Sequence, residues 1–262
     1  MPYLDVNQGK LYYKDVGNGP VLLLITPFGY LQEIWHKQVK YFSKYYRVIT
    51  YDLRGVGKST NEMSKISKEI LLDDLYQLIT HITNERVNLL GIGKLGYLAQ
   101  NFALSYQNKI NSLGLVSSSY GGPNSAPVSL EILQYIFKLV NYDEETAKLL
   151  CFKETNIENE NICEEILSLR SKEIEKNIYE DYLMMFANVN NENTLKNLKV
   201  DTWVNTGCDN AIYLVENSKK LHLLIDHSEY QVITGGYLNF YTHSDEFNKA
   251  YFDFLNNNQK EG

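Results

Sequence analysis

Gly91-Ile92-Gly93-Lys94-Leu95-Gly96 holds the most chemistry per residue in this chain of 262 residues. It is a literal G-x-G-x-x-G between an apolar, strand-like run and a helix-like run, the pattern that lets a pyrophosphate approach a helix N-terminus. Such a site would make the chain a dinucleotide-binding protein through Gly91, Gly93 and Gly96. It also needs an acidic residue roughly 20 positions on, at the end of the next strand, to hold the ribose hydroxyls. Here that strand ends in Ser117-Ser118-Ser119, and two strand-helix units precede the loop. Dinucleotide binding is therefore kept as an alternative reading. Lys94, inside the loop, could offer a cation to a carboxylate or phosphate ligand, or be a solvated lysine at a helix start.

The other reactive types are dispersed. His36, His81, His222, His227 and His243 show no metal-ligand spacing, and Cys151, Cys163 and Cys208 form no C-x-x-C pair. Neither a metal, a cofactor nor a disulfide framework is expected. His243, six residues past Tyr237, is the one histidine whose place near the last helix could bring it to a site.

These residues need elements to position them, and the hydropathy pattern supplies an alternation of strands and helices. A hairpin is expected over 3–6 and 11–16, then short β-branched strands at 21–26, 47–51, 87–90 and 110–116. Helices are expected at 32–43, 67–82 with Ser67 as N-cap, and 94–106. From 121 to 198 the pattern is helical throughout, and strands return at 202–205 and 230–233 before a closing helix at 244–255. With 44% hydrophobic residues the chain can bury a full core. The 32 acidic against 25 basic residues leave a formal charge of -7, which disfavours nucleic acid. No stretch approaches about 18 apolar residues, and Met1-Pro2-Tyr3-Leu4-Asp5 has no basic n-region, so a cytoplasmic protein without a membrane span is expected.

Tyr51-Asp52-Leu53-Arg54-Gly55-Val56-Gly57-Lys58-Ser59 resembles the D-x-R-G-x-G-x-S segment of the α/β-hydrolase superfamily. The resemblance extends over almost the whole chain. It implies an α/β fold with a mostly parallel, doubly wound sheet, a core at 1–120 and 199–262, and a helical cap at 121–198 over a pocket. It also implies a catalytic serine on a strand-helix elbow, an acid after the penultimate strand and a histidine after the last. The family's G-x-S-x-G falls on Gly91-Ile92-Gly93-Lys94-Leu95, so its serine position is Gly93. Its G-x-x-D turn falls on Gly207-Cys208-Asp209-Asn210, so its acid position is Asn210, with Asp209 as the adjacent carboxylate. Its Gly-His falls on Gly236-Tyr237, so its histidine position is Tyr237.

A shifted register cannot restore the nucleophile, because no serine lies between Val87 and Leu104. Three substitutions at consistent spacing point to a lost catalytic unit, since a triad serine needs both its base and the group that orients it. By the same resemblance the backbone N–H groups of Phe28 and Lys94 remain as oxyanion donors, while Leu95, where the family uses glycine, puts the elbow geometry in question. Tyr30, Lys94, Met185, Phe186 and Tyr237 are expected to line the pocket. The expected function is a non-hydrolytic pseudo-enzyme that binds a small molecule. A divergent hydrolase or lyase using the oxyanion donors with Lys94 or Tyr237 is the alternative beside dinucleotide binding.

Overall fold

The computed structural model describes residues 3–258; the first two and last four residues of the expected core lie outside the described residues. Nine strands form one sheet among them: β1 (Tyr3–Val6), β2 (Gly9–Val16), β3 (Val21–Ile25), β4 (Arg47–Tyr51), β5 (Thr60–Asn61), β6 (Val87–Ile92), β7 (Ile110–Val116), β8 (Asp201–Gly207) and β9 (Ser228–Ile233). The order is β1-β2-β4-β3-β6-β7-β8-β9, with β5 paired to β2. β1, β2 and β5 pair antiparallel at one end, and every pair from β4 to β9 is parallel. The central strands are rich in apolar residues because both faces are covered: all five residues of β3 and all six of β6, including Asn88, are buried.

Ten α-helices pack around the sheet among the described residues: α1 (His36–Phe42), α2 (Lys68–Ile82), α3 (Gly93–Ser105), α4 (Leu130–Lys138), α5 (Glu144–Thr155), α6 (Glu160–Ser168), α7 (Lys176–Met185), α8 (Val215–Leu223), α9 (Asn239–Thr242) and α10 (Ser244–Asn258). Leu71, Leu75, Leu78, Leu98, Phe102 and Leu221 bring α2, α3 and α8 onto one face. Phe42, Phe247, Tyr251 and Leu255 bring α1 and α10 onto the other. The chain is thus an α/β-hydrolase fold with a mostly parallel, doubly wound sheet.

Most boundaries agree with the pattern, including Ser67, whose side chain accepts from the Ile70 N–H at 3.4 Å. The expected helix over 32–43 splits into a 3-10 turn at Gln32–Trp35 and then α1. The pattern gave no sign of α8, because this helix buries Asn217 and Ser218. Asn217 bonds both the N–H and the carbonyl of Ala126, and Ser218 donates to the Ser118 carbonyl.

Between β7 and β8 the regular elements are helices, as expected, and α5 and the segment after α6 are tied by backbone bonds to the loops that follow β3 and β9. Leu31 N–H donates to Leu169 O at 2.9 Å, Ser171 N–H to Gly29 O at 3.0 Å, and Leu238 N–H to Glu154 O at 2.9 Å. The carboxyl ends of β3, β6, β7, β8 and β9 therefore face this helical insertion, the position where open α/β sheets bind ligands.

Candidate functional site

β6 runs two residues past its expected end and stops at Ile92, and α3 starts at once with Gly93 at φ +51°. A chain that turns from strand into helix within one residue needs this left-handed conformation, which costs a residue with a Cβ about 1–2 kcal/mol and glycine almost nothing. Each glycine of the loop has its open side filled by protein. A Cβ on Gly91 would lie 2.8 Å from Ala99 Cβ, one on Gly96 would lie 2.7 Å from Ser118 Cβ, and one on Gly93 would lie 2.7 Å from Tyr237 Cε2. Ser118 Oγ also donates to Gly93 O at 2.8 Å. Leu95 leaves the elbow intact, because its side chain points into the core and is fully buried.

The loops after β8 and β9 bring Asn210 and Tyr237 to the same end of the sheet. Asn210 is buried and spends its amide on its own loop: Oδ1 accepts from the N–H groups of Ile212 and Tyr213 at 3.1 and 3.0 Å, and Nδ2 donates to Thr206 Oγ1 at 3.2 Å. Asp209 is exposed and receives the Cys208 thiol instead. Tyr237 is buried above Gly93, its ring 6.2 Å from that of Tyr213, and burial pushes its phenol well above the usual tyrosine range. His243 packs against Gly235 and hydrogen-bonds Thr242 Oγ1 at 3.0 Å, outside the cavity lining.

A cavity of about 310 Å³ opens between these loops and the insertion. Phe28, Lys94 and Tyr237 line it from the sheet side, and Leu133, Glu154, Arg170 and Leu183 are among those lining it from the insertion. Lys94 Nζ donates to Leu183 O at 3.2 Å, and burial lowers the pKa of the ammonium to about 8. Three residues expected in the lining are elsewhere. Tyr30 is buried behind the wall, donating to Glu154 Oε2 at 2.5 Å under the Arg170 guanidinium. Phe186 is packed into the core facing Tyr97, and Met185 lines a separate shallow groove beside Lys65 and Asn101. For Met185 the reason is helical phase: α7 presents Tyr179 and Leu183 to the cavity, and the residue two beyond Leu183 points to the other side, while Phe186 stands just past the end of α7. Sequence reasoning missed Glu154 and Arg170, which pair with each other inside the wall. In the sequence they are ordinary charges of a helical stretch, and only burial sets them apart.

The Asp52-to-Ser59 segment holds the loop that faces the site. Asp52 accepts from the N–H groups of Gln32 and Lys58 at 2.8 and 3.0 Å. Arg54 is buried against Asp74 through two bonds of 2.8 and 2.6 Å. Ser59 Oγ accepts from Tyr12 N–H and donates to Asp52 O. None of these side chains lines the cavity.

The family model for the α/β-hydrolase fold matches residues 20–156, from β3 into the insertion. The chain belongs to that family. Among relatives, a (E)-2-((N-methylformamido)methylene)succinate hydrolase from Acinetobacter baylyi is 25% identical over 152 residues, 58% of each chain. A soluble epoxide hydrolase from Corynebacterium is 26% identical over 159 residues, 58% of this chain and 54% of that one. The chain thus covers less than two thirds of the length of these α/β-hydrolase relatives. The solved bromoperoxidase from Bacillus anthracis superposes with a TM-score of 0.85 at 22% identity, over 95% of this chain and 96% of that one, a likeness of fold. Among the described residues no cluster of three or more His, Cys, Asp or Glu could hold a metal ion, and no helix is long and apolar enough to cross a membrane.

Proposed function

We propose that this chain is a non-hydrolytic member of its family that binds a small molecule in the cavity, with the helical insertion as its cap. Gly93, Asn210 and Tyr237 then stand where nucleophile, acid and base would be. One observation carries the reading: the phenol of Tyr237 occupies the space a nucleophile's side chain would need above Gly93. Glycine has no nucleophilic atom, Asn210 is committed to its own turn, and no histidine lines the cavity. The relatives named above are hydrolases, so the test is direct. Short-chain p-nitrophenyl esters should be turned over no faster than by a denatured control, and a fluorophosphonate probe should leave the protein unlabelled. An acyl-enzyme seen by mass spectrometry would sink the proposal.

A second reading has its own observation. Lys94 is a cavity lysine with a pKa of about 8 and no acidic partner among the described residues, and it lines the cavity together with Phe28 and Tyr237. A lyase or other proton-transfer catalyst could use a lysine poised near neutrality. Turnover that is lost in both Lys94→Met and Tyr237→Phe would favour this reading.

A further inference from the structure

The cavity is electropositive inside an acidic protein. Three cationic side chains line it, Lys94, Arg170 and Lys172, against the single carboxylate of Glu154, while the chain as a whole carries -7. Glu154 is already engaged, because its Oε2 accepts from both Arg170 and Tyr30. Lys172 lies 4.0 Å from Glu144 with half its side chain in solvent. That leaves Lys94 as the lining cation with no carboxylate within ion-pair distance among the described residues. One of its three protons goes to Leu183 O.

Two more lining groups are buried without a hydrogen-bond partner among the described residues, Tyr142 Oη and Arg170 Nε. Both are donors, as are the remaining protons of Lys94. Buried donors around an unpaired positive charge are complementary to an anion, and an anion taken from water into this site would recover its lost hydration there. A single free cation neutralises a single charge, so a monoanion fits where a dianion would remain partly uncompensated. The walls that α4 and α7 contribute are apolar. α4 contributes Leu133 and Ile136, α7 contributes Leu183, and the rim is formed by Phe137 and Met184, which are 54% and 63% exposed.

We infer that the cavity takes an amphiphilic monocarboxylate, with the carboxylate on Lys94 and an apolar chain or ring running along α4 and α7 toward the rim at Phe137 and Met184. The inference rests on the ligand-binding reading above and names the class of ligand. At about 310 Å³ the space lies at the small end of ligand cavities, which points to a short-chain or single-ring acid.

Calorimetric titration with octanoate and 4-phenylbutyrate, each paired with its alcohol, tests it. At least one acid should bind saturably and about tenfold more tightly than its alcohol, a difference of about 1.4 kcal/mol. Lys94→Met should erase that preference, bringing the affinity for the acid to that for its alcohol, and Lys94→Arg should retain it. Alcohols that bind as tightly as the acids, a preference that survives Lys94→Met, or no saturable binding of either acid would each overturn the inference. Ester hydrolysis by the wild type would instead overturn the non-hydrolytic reading, and the acid-over-alcohol comparison can still be read in that case.

Discussion

Tyr237 closes the elbow at Gly93: a Cβ built on residue 93 would lie 2.7 Å from Cε2 and 2.8 Å from Cζ of the tyrosine, and closer still to its hydroxyl. The two positions are therefore coupled, and a side chain at 93 requires the Tyr237 ring to move. Gly93→Ser should lower the melting temperature through the left-handed backbone, about 1–3 kcal/mol, and through displacement of the buried phenol. Adding Tyr237→His should recover part of that loss, so the double mutant is more stable than the sum of the singles implies. Thermal or urea unfolding of the four proteins measures the coupling.

Catalysis should return only with the whole unit. Asn210→Asp keeps two backbone N–H donors on its side chain and supplies the missing carboxylate. Esterase activity above background is expected in Gly93→Ser/Asn210→Asp/Tyr237→His and in none of the single mutants, because triad members act together. p-Nitrophenyl acetate assays on the series check this.

Lys94 gives a pH signature. Burial lowers its pKa from 10.5 to about 8 in the folded protein, so below pH 8 the fold carries a charged ammonium at a penalty of about 3 kcal/mol. As pH rises from 8 toward 10.5 the folded state loses this proton while the unfolded state still binds it, and the penalty disappears. Lys94→Met should accordingly be more stable than wild type at pH 7, with the gap closing by about pH 10.5. Parallel denaturant titrations of both proteins cancel the tyrosines they share.

The Arg54–Asp74 pair holds the loop after β4, and both side chains are buried. Arg54→Met leaves the Asp74 carboxylate without its cation and should cost about 3–5 kcal/mol. A lower urea midpoint without a change in slope is the expected result.

Dinucleotides should not bind at Gly91-Ile92-Gly93-Lys94-Leu95-Gly96. A pyrophosphate needs open backbone at the second glycine, and here Tyr237 covers it. Millimolar NAD or NADP is expected to leave the melting temperature unchanged; a saturating increase would reverse this assignment.

The alternation of β-branched strands with amphipathic helices, and the segment from Asp52 to Ser59, made the fold readable from the chain alone. Strands buried on both faces read as near-continuous apolar runs, as Val21–Ile25 does in full and Val87–Ile92 does apart from Asn88. That Gly93, Asn210 and Tyr237 follow the ends of β6, β8 and β9 was legible too, because those turns carry glycines. What those residues do was decided in three dimensions. Gly93 and Tyr237 are 144 positions apart in sequence, and only the convergence of two loops lays the tyrosine ring on the glycine. α8 went unread because its buried face is polar and pairs with backbone groups near Ala126. The lining went partly unread because helical phase in α7, not residue type, sends Leu183 inward and Met185 outward. Glu154 and Arg170 read as surface charges in a linear chain, whereas Lys94 was expected in the lining; packing between the insertion and the sheet buried and paired the first two and left Lys94 in the cavity wall with its ammonium donating to Leu183 O.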